Sequence, residues 1–152
     1  MIDPIFSTEP MRAIFAPSAT LARMLEFEAA LARAQGAAGV IPTAAAEAIA
    51  AQCDSAHFDA EAIAIAARAG GNRASPLVAA LTARVDVAAR GYVHWGATSQ
   101  DVIDTALVLQ LRDALALIGA GVARLGDALA VRSREHRDTP LAGRTLLQQA
   151  LP

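Results

Sequence analysis

The feature that most constrains the fold is an apolar stripe running through residues 101–135. Its members recur at steps of four and three residues, the spacing of one helix face: Ile103, Leu107, Leu111, Leu115, Ile118, Val122, Leu125 and Leu129. A helix over this range would be about 50 Å long. A compact domain of 152 residues is only roughly 30 Å across. The stripe therefore predicts a long helix that needs partner helices, as in a bundle.

Three glycines lie inside this predicted helix, at Gly119, Gly121 and Gly126. A glycine in a helix costs about 1 kcal/mol relative to alanine, so its presence needs another explanation. Because glycine has no side chain, a neighbouring helix can approach it closely. We therefore expect close helix–helix contacts along this segment.

The composition favours helices in the rest of the chain as well. Hydrophobic residues make up 55% of the sequence and aromatic residues only 4%, and alanine, the strongest helix former, dominates the apolar set. The patterns predict an irregular arm over 1–17, followed by a helix over 18–35 and another that starts at Pro42–Thr43. A third short helix is predicted to be capped by Asp59. A fourth is predicted to have Ser75 as N-cap and Pro76 at its first position. Another helix is predicted to begin near residues 142–145. There is no strand pattern, so the predicted fold class is all-α.

Charge and cysteine content exclude several functional classes. The net charge is −2 and the pI about 5.9, which favours neither nucleic acid nor an anionic membrane as a partner. Cys53 is the one cysteine, so no intrachain disulfide or thiolate metal cluster can form, and a reducing cytoplasmic setting is expected. The N-terminus is too acidic and too rich in proline for a signal peptide. No apolar run reaches the roughly 18 residues of a membrane span without a charge or glycine.

The polar run "HWGATSQD" comes directly before the long helix and has two interpretations. Thr98 and Asp101 have the spacing of a capping box with Asp in place of Glu, and an acidic residue in the first turn suits the helix dipole. This alone explains the run. The alternative is that Gly96–Ser99 presents backbone N–H groups and two hydroxyls to an anion such as a carboxylate. Both hold if one hydroxyl caps the helix and the other binds.

Other polar positions are less specific. His94 and Trp95 precede the helix start, where packing is the commoner role for both residue types. Asn72, in the "GGN" turn before another helix, has an amide that could bind a carboxylate, although an ordinary turn explains it. The run "GRTLLQQ" places three polar side chains within about one helical turn, at Arg144, Thr145 and Gln148, where a solvated helix start is the simpler interpretation. No metal-ligand spacing, Ser/His/Asp order or phosphate loop is visible.

Taken whole, "YVHWGATSQDVIDTALVLQLRDAL" resembles the first conserved region of the fumarase/aspartase superfamily. Within it, the sequence is most similar to the branch of carboxymuconate cycloisomerases. "MRAIFAPSATLARMLEFEAALARAQGAAGVIP", "AGGNRASPLVAALTARV" and "GRTLLQQALP" resemble further family segments, so the similarity covers nearly the whole chain. It implies a subunit of several hundred residues, with residues 1–95 as the N-terminal helical domain and 96–152 as the truncated start of the central bundle.

The resemblance also implies a function. It implies a cytoplasmic homotetramer whose active sites combine regions of three subunits, acting on a di- or tricarboxylate without metal or organic cofactor. In the cycloisomerase branch, 3-carboxy-cis,cis-muconate becomes 4-carboxymuconolactone, in aromatic catabolism, when a substrate carboxylate adds to an alkene of the same molecule. Matched by position, the family's substrate-binding residues are Thr98, Ser99, His94, Gln100, Asn72, Arg144, Thr145, Gln148 and Arg12.

Two departures from the superfamily pattern bear on mechanism. Many members have "THGQ" in the second region, with the His as acid or base, whereas this chain has Leu146 and Leu147 at the His and Gly positions. The cycloisomerase branch shares that departure. The family's catalytic Ser loop corresponds to sequence beyond residue 152, so the catalytic residues are unknown and the chain is expected to be inactive alone.

Two further interpretations remain open. The first is another superfamily lyase, resembling adenylosuccinate lyase or a sulfomuconate cycloisomerase. The second is a non-catalytic helical module that self-associates through the long helix.

Overall fold

The structure is a computed structural model that describes residues 4–142 and 149–150. Its α-helices are α1 (Glu9–Ile14), α2 (Pro17–Ala37), α3 (Thr43–Gln52), α4 (Ala60–Gly70), α5 (Ala74–Arg84) and α6 (Ser99–Glu135). Short 3-10 helices lie at Pro4–Phe6, Ser55–His57 and Arg90–Tyr92. The all-α prediction is confirmed, and the predicted long helix forms as α6, 37 residues and roughly 55 Å long.

The prediction of a helix beginning near residues 142–145 is wrong at residues 142, 149 and 150, which the structure describes as strands. Strand β1 (Leu141–Ala142) pairs antiparallel with strand β2 (Gln149–Ala150). Pro140 and Gly143 flank β1, and both residue types are poor helix formers. The strand pair gives these backbone groups partners that a helix would otherwise supply. Residues 143–148 lie outside the described part of the chain.

Contacts divide the chain into two compact units, Met1–Ala114 and Leu115–Pro152. The boundary expected between residues 95 and 96 concerns the domains of a longer protein and stays a prediction. In the first unit, two apolar clusters form the core. One contains Leu21, Met24, Leu25, Ile63, Ala74, Leu77, Val102 and Ala106, and the other contains Ala32, Ile41, Ala45, Ala46, Ile49, Leu81, Val85 and Ala89.

The face of α6 that packs into this core is not the predicted stripe. The buried positions of α6 are Val102, Ala106, Gln110 and Ala114. From Leu107 to Leu129 the stripe side chains are instead 44% to 65% exposed. The helix period was therefore predicted correctly. Ile103 packs against the core, but from Leu107 onward the stripe stays exposed within the described residues.

The glycines of α6 are equally open. A Cβ built on Gly119 or Gly126 would meet no described atom within 4 Å, and one on Gly121 would meet only an Arg124 side-chain atom at 4.0 Å. The close helix contacts predicted at these glycines therefore do not form within the described chain.

Gly36 near the end of α2 does make a close approach. A Cβ at this position would lie 2.6 Å from the Cβ of Ala46 on α3. Real atoms do not approach that closely, so α2 and α3 can pack at this distance only because residue 36 is glycine. Gly39, at φ 71°, then turns the chain away from α2.

Gly36→Ala is expected to lower the free energy of unfolding by about 1–3 kcal/mol, because the new methyl group forces α2 and α3 apart. Thermal or urea unfolding followed by circular dichroism measures this. Gly126→Ala is the matched control, since it adds the same methyl to an open helix position and is expected to stabilise by about 1 kcal/mol at most. Equal effects of the two substitutions would contradict the proposed close contact.

Gln110 fastens the N-terminal segment to α6. Its side chain is 3% exposed, and its Nε2 donates to the carbonyl of Ile14 at 2.6 Å and to the hydroxyl of Thr20 at 3.1 Å. Both partners lie where α1 meets α2. These hydrogen bonds offset the cost of burying the polar amide of Gln110.

Among the described residues, one helix, α6, is long and apolar enough to cross a membrane by length and composition alone. This is weak evidence, because a helix whose apolar face packs in a soluble bundle has the same composition.

Candidate functional site: the loop before α6

Thr98 and Asp101 form the reciprocal cap that their spacing predicts. The Thr98 backbone N–H donates to Asp101 Oδ2 at 2.7 Å, and the Thr98 hydroxyl donates to the same oxygen at 2.9 Å. In return, the Asp101 backbone N–H donates to the Thr98 hydroxyl oxygen at 3.3 Å. These bonds favour the ionised carboxylate, so the pKa of Asp101 lies below its ordinary value, first through the Thr98 backbone N–H and then through its hydroxyl.

This cap makes stability depend on pH in the acid range. Because the pKa of Asp101 is lower in the folded chain, its contribution is complete above the unfolded pKa of about 3.9 and is lost as the pH falls through the lower folded pKa. We expect Asp101→Asn to reduce the fall in Tm between pH 6 and pH 3 relative to wild type. Asp127→Asn on the same helix, where the carboxylate has no described hydrogen bond, is the control. An unchanged pH dependence in Asp101→Asn would contradict this account.

The cap divides the roles of the neighbouring polar groups. The hydroxyl and N–H of Thr98 are already bonded to Asp101, and the Gln100 amide donates to Asp104 Oδ1. Ser99 is half-buried, and no hydrogen bond of its hydroxyl is recorded among the described residues. Ser99 is thus the side chain at this helix start whose hydroxyl is free for an anion.

The loop preceding the cap is tightly turned and held by α2. His94 (φ 57°) and Gly96 (φ 69°) both adopt the left-handed region, which is uncommon for a residue other than glycine. The Gln35 amide donates to the carbonyl of Trp95 at 2.6 Å, and His94 Nδ1 lies 2.6 Å from Glu28 Oε1. The Tyr92 and Trp95 rings lie 6.1 Å apart. The loop geometry therefore depends on two residues of α2 that lie 60 and 66 positions earlier in the sequence.

Sequence reasoning missed Glu28, although a signal existed. The buried face of α2 follows helical spacing through Leu21, Met24, Leu25, Glu28, Ala29 and Ala32. A carboxylate in such a run is unusual, because charged side chains are seldom fully buried unless paired. Its position predicts a buried partner, but not which residue that partner is.

Asn72 has a structural role that its turn position did not reveal. Its Oδ1 accepts from the backbone N–H groups of Ala74 at 2.9 Å and Ser75 at 3.1 Å, at the start of α5. The prediction that Ser75 caps this helix is therefore wrong. Helix α5 begins at Ala74, two residues before the predicted first position at Pro76, and the Asn72 side-chain oxygen accepts from its free N–H groups. The Asn72 Nδ2 makes a long bond of 3.4 Å to Gly70.

The structure brings together only part of the predicted site. His94, Thr98, Ser99 and Gln100 share one short segment. The recorded hydrogen bonds of Asn72 stay near its own turn, and Arg12 donates to the Ser7 carbonyl at 2.8 Å, so no described hydrogen bond joins either to that segment. Arg144, Thr145 and Gln148 lie outside the described residues.

Cys53 does not add a nucleophile to this loop. Burial raises the pKa of its thiol to about 12, so it stays protonated at neutral pH. Among the described residues, no group of His, Cys, Asp or Glu is arranged to hold a metal ion.

The sequence that forms this loop and helix start lies within a match to a known protein family. A family model described as lyase matches residues 6–152. The chain belongs to this lyase family. The resemblance to the fumarase/aspartase superfamily is confirmed.

Individual relatives of the chain show which branches of the family it resembles. It is 51% identical over 155 residues to the 3-carboxy-cis,cis-muconate cycloisomerase of Bradyrhizobium diazoefficiens, with 100% of the chain and 34% of that relative covered. It is 43% identical to the nitrosuccinate lyase of Streptomyces davaonensis, with 100% of the chain and 33% of the relative covered. The crystal structure of the 3-carboxy-cis,cis-muconate lactonizing enzyme from Pseudomonas putida matches with a TM-score of 0.88 and 51% identity, over 95% of the chain and 34% of that structure. The chain thus spans about a third of the length of these relatives.

Proposed function

We propose that this lyase segment is the N-terminal part of a longer protein that converts 3-carboxy-cis,cis-muconate into 4-carboxymuconolactone. The observation that carries the proposal is the 51% identity, across the whole chain, to a 3-carboxy-cis,cis-muconate cycloisomerase. The fold similarity to a lactonizing enzyme, with a TM-score of 0.88, agrees with this proposal. In the longer protein, residues 1–95 are the N-terminal domain and residues 96–152 begin the helical bundle.

The proposed reaction depends mainly on how the protein places one substrate carboxylate against the alkene of the same molecule. One carboxylate oxygen of the substrate forms a bond to an alkene carbon, and a proton adds to the neighbouring carbon, so the product is an isomer of the substrate. No electrons are exchanged with another molecule. The protein must hold the remaining carboxylates and exclude alternative geometries, which suits donors fixed on a rigid helix start.

The loop before α6 forms one wall of the substrate site in this proposal. Ser99 offers its free hydroxyl to a substrate carboxylate, and the backbone N–H groups at the helix start, together with the helix dipole, favour that negative charge. Thr98 keeps this helix start in place through its bonds to Asp101. His94 and Gln100 line the same wall, while Asn72, Arg12, Arg144, Thr145 and Gln148 are assigned to it by family position.

The wider setting follows from the same proposal. The exposed stripe of α6 packs against the same helix of other copies in a cytoplasmic homotetramer. The substrate is a small di- or tricarboxylate, the reaction takes place without metal or organic cofactor, and neither nucleic acid nor a membrane is a partner.

A lyase that cleaves a succinate derivative is the second candidate, because the 43% identity to nitrosuccinate lyase also spans the whole chain. Turnover of a panel by the longer protein separates the two: 3-carboxy-cis,cis-muconate, sulfomuconate, nitrosuccinate and adenylosuccinate, compared by kcat/KM. We expect 3-carboxy-cis,cis-muconate to have the highest kcat/KM of the four substrates. A higher kcat/KM for any other substrate would replace the proposed activity, and no turnover of any substrate would favour the self-associating module.

A further inference from the structure

A carboxylate lies buried beneath the loop before α6. The Glu28 side chain is 1% exposed, between Leu25 and Ala29 on the apolar face of α2. Its Oε1 lies 2.6 Å from His94 Nδ1, whereas its Oε2 is buried and has no hydrogen-bond partner among the described residues. Burying a carboxylate with one oxygen unsatisfied is costly. Burial accordingly raises the pKa of Glu28, and the adjacent His94 acts in the opposite direction.

Stability alone does not explain this arrangement. Replacing a buried ion pair by apolar residues of similar volume is often neutral or stabilising. The other buried positions of α2 are leucine, methionine and alanine, so an apolar residue would suit position 28 equally well. The carboxylate is therefore better explained by what it does to His94.

The contact with Glu28 determines which edge of the His94 ring is available. The two ring nitrogens lie on different edges of the imidazole, and the hydrogen bond made by one sets the protonation of the other. Nδ1 faces Glu28, while no described hydrogen bond reaches Nε2. The His94 side chain is 14% exposed, so its free edge retains some access to solvent or ligand.

A second contact from α2 holds the adjoining residue. The Gln35 amide donates to the carbonyl of Trp95 at 2.6 Å. Glu28 and Gln35 are seven residues apart and so lie on the same face of α2. Two consecutive loop residues, His94 and Trp95, are thus fastened to one helix just before the turn at Gly96 and the cap at Thr98.

We propose that Glu28 is a positioning residue, which fixes the ring orientation and tautomer of His94 so that Nε2 faces a substrate bound at Ser99 and Gln100. This inference rests on the proposed function for the presence of that substrate. The contact between Glu28 and His94 itself is independent of the substrate. Glu28 touches neither substrate nor reacting atoms and acts only through His94.

Nitrogen NMR of the 152-residue chain tests the tautomer directly. With ¹⁵N-labelled histidine, the wild-type His94 spectrum is expected to show a hydrogen on Nδ1 that is protected from exchange. In Glu28→Leu, which keeps similar volume without an acceptor, that protection is expected to disappear, while Glu28→Gln retains an oxygen acceptor and restores part of it. Glu26→Leu, the same substitution at an exposed position of α2, should leave the His94 signals unchanged. An unprotected Nδ1 in wild type would overturn the proposal, whether or not the variants fold.

Kinetics of the longer protein provide the second arm. Glu28→Leu is expected to raise KM for the carboxymuconate about tenfold or more, because an unfixed His94 no longer lines the site in one orientation. Glu28→Gln should recover most of that loss, and Glu26→Leu should match wild type. If Glu28→Leu folds and its KM and kcat equal those of wild type, Glu28 is only structural. If the wild-type protein does not turn over the substrate, the proposed function fails, and the NMR result still decides whether Glu28 fixes His94.

Discussion

The 152-residue chain is expected to self-associate in solution, and charges on the stripe of α6 are expected to prevent it. Leu115, Val122 and Leu129 are 59% to 65% exposed and repeat every seven residues along one face. Burying each such side chain against a partner contributes about 1.5–3 kcal/mol. Changing all three to glutamate should therefore raise the dissociation constant about a thousandfold or more. Sedimentation equilibrium at tens of micromolar measures the change.

Val131 provides the control for this experiment. Its side chain is 46% exposed, but it lies nine residues from Val122 and hence about half a turn away around the helix. Val131→Glu adds the same charge to the same helix and should leave the association intact. A monomeric wild-type chain, or a triple variant that associates as tightly as wild type, would show that the stripe is not a bundle-forming face.

Ser99→Ala is expected to lower kcat/KM of the longer protein for its carboxylated substrate about 10- to 100-fold, because a hydrogen bond to a charged group contributes about 1.5–3 kcal/mol. The cap of α6 depends on Thr98 and Asp101, so the free energy of unfolding should change by no more than about 0.5 kcal/mol. Steady-state kinetics and urea unfolding of the same preparation separate the two effects.

Two further variants, one in the cap of α6 and one near its end, separate loss of activity from loss of stability. Thr98→Ala removes the capping hydroxyl and should cost about 1 kcal/mol of stability, a loss that Ser99→Ala should not show. Ser133→Ala removes an exposed hydroxyl near the end of α6 and should change neither activity nor stability. If Ser99→Ala has the same kcat/KM as wild type, the start of α6 is not part of the substrate site.

The features predicted best from the sequence are those determined by neighbouring residues. The period of α6 follows from its own apolar spacing, and the capping box needs only Thr98 and Asp101, three residues apart. Both formed as predicted. Such contacts depend on local backbone geometry, which the sequence specifies directly.

The predictions fail where two residues compete for the same hydrogen bonds or where the structure depends on residues distant in the sequence. Asn72 caps α5 instead of Ser75 because both types can accept the same N–H bonds, and position alone did not decide between them. Spacing established that the stripe of α6 is apolar but not what covers it, and the core took a different face of the helix. The pairing of Glu28 with His94 joins residues 66 positions apart, so only the fold reveals it.

The most direct test of the proposed function is the product formed from 3-carboxy-cis,cis-muconate, followed by proton NMR. The longer protein is expected to convert the substrate fully into 4-carboxymuconolactone without added metal or cofactor. The 152-residue chain alone is expected to form none, since it spans only about a third of the length of the relatives that carry the activity in their names. Lactone formation by the 152-residue chain alone, or no lactone from a folded longer protein, would contradict the account.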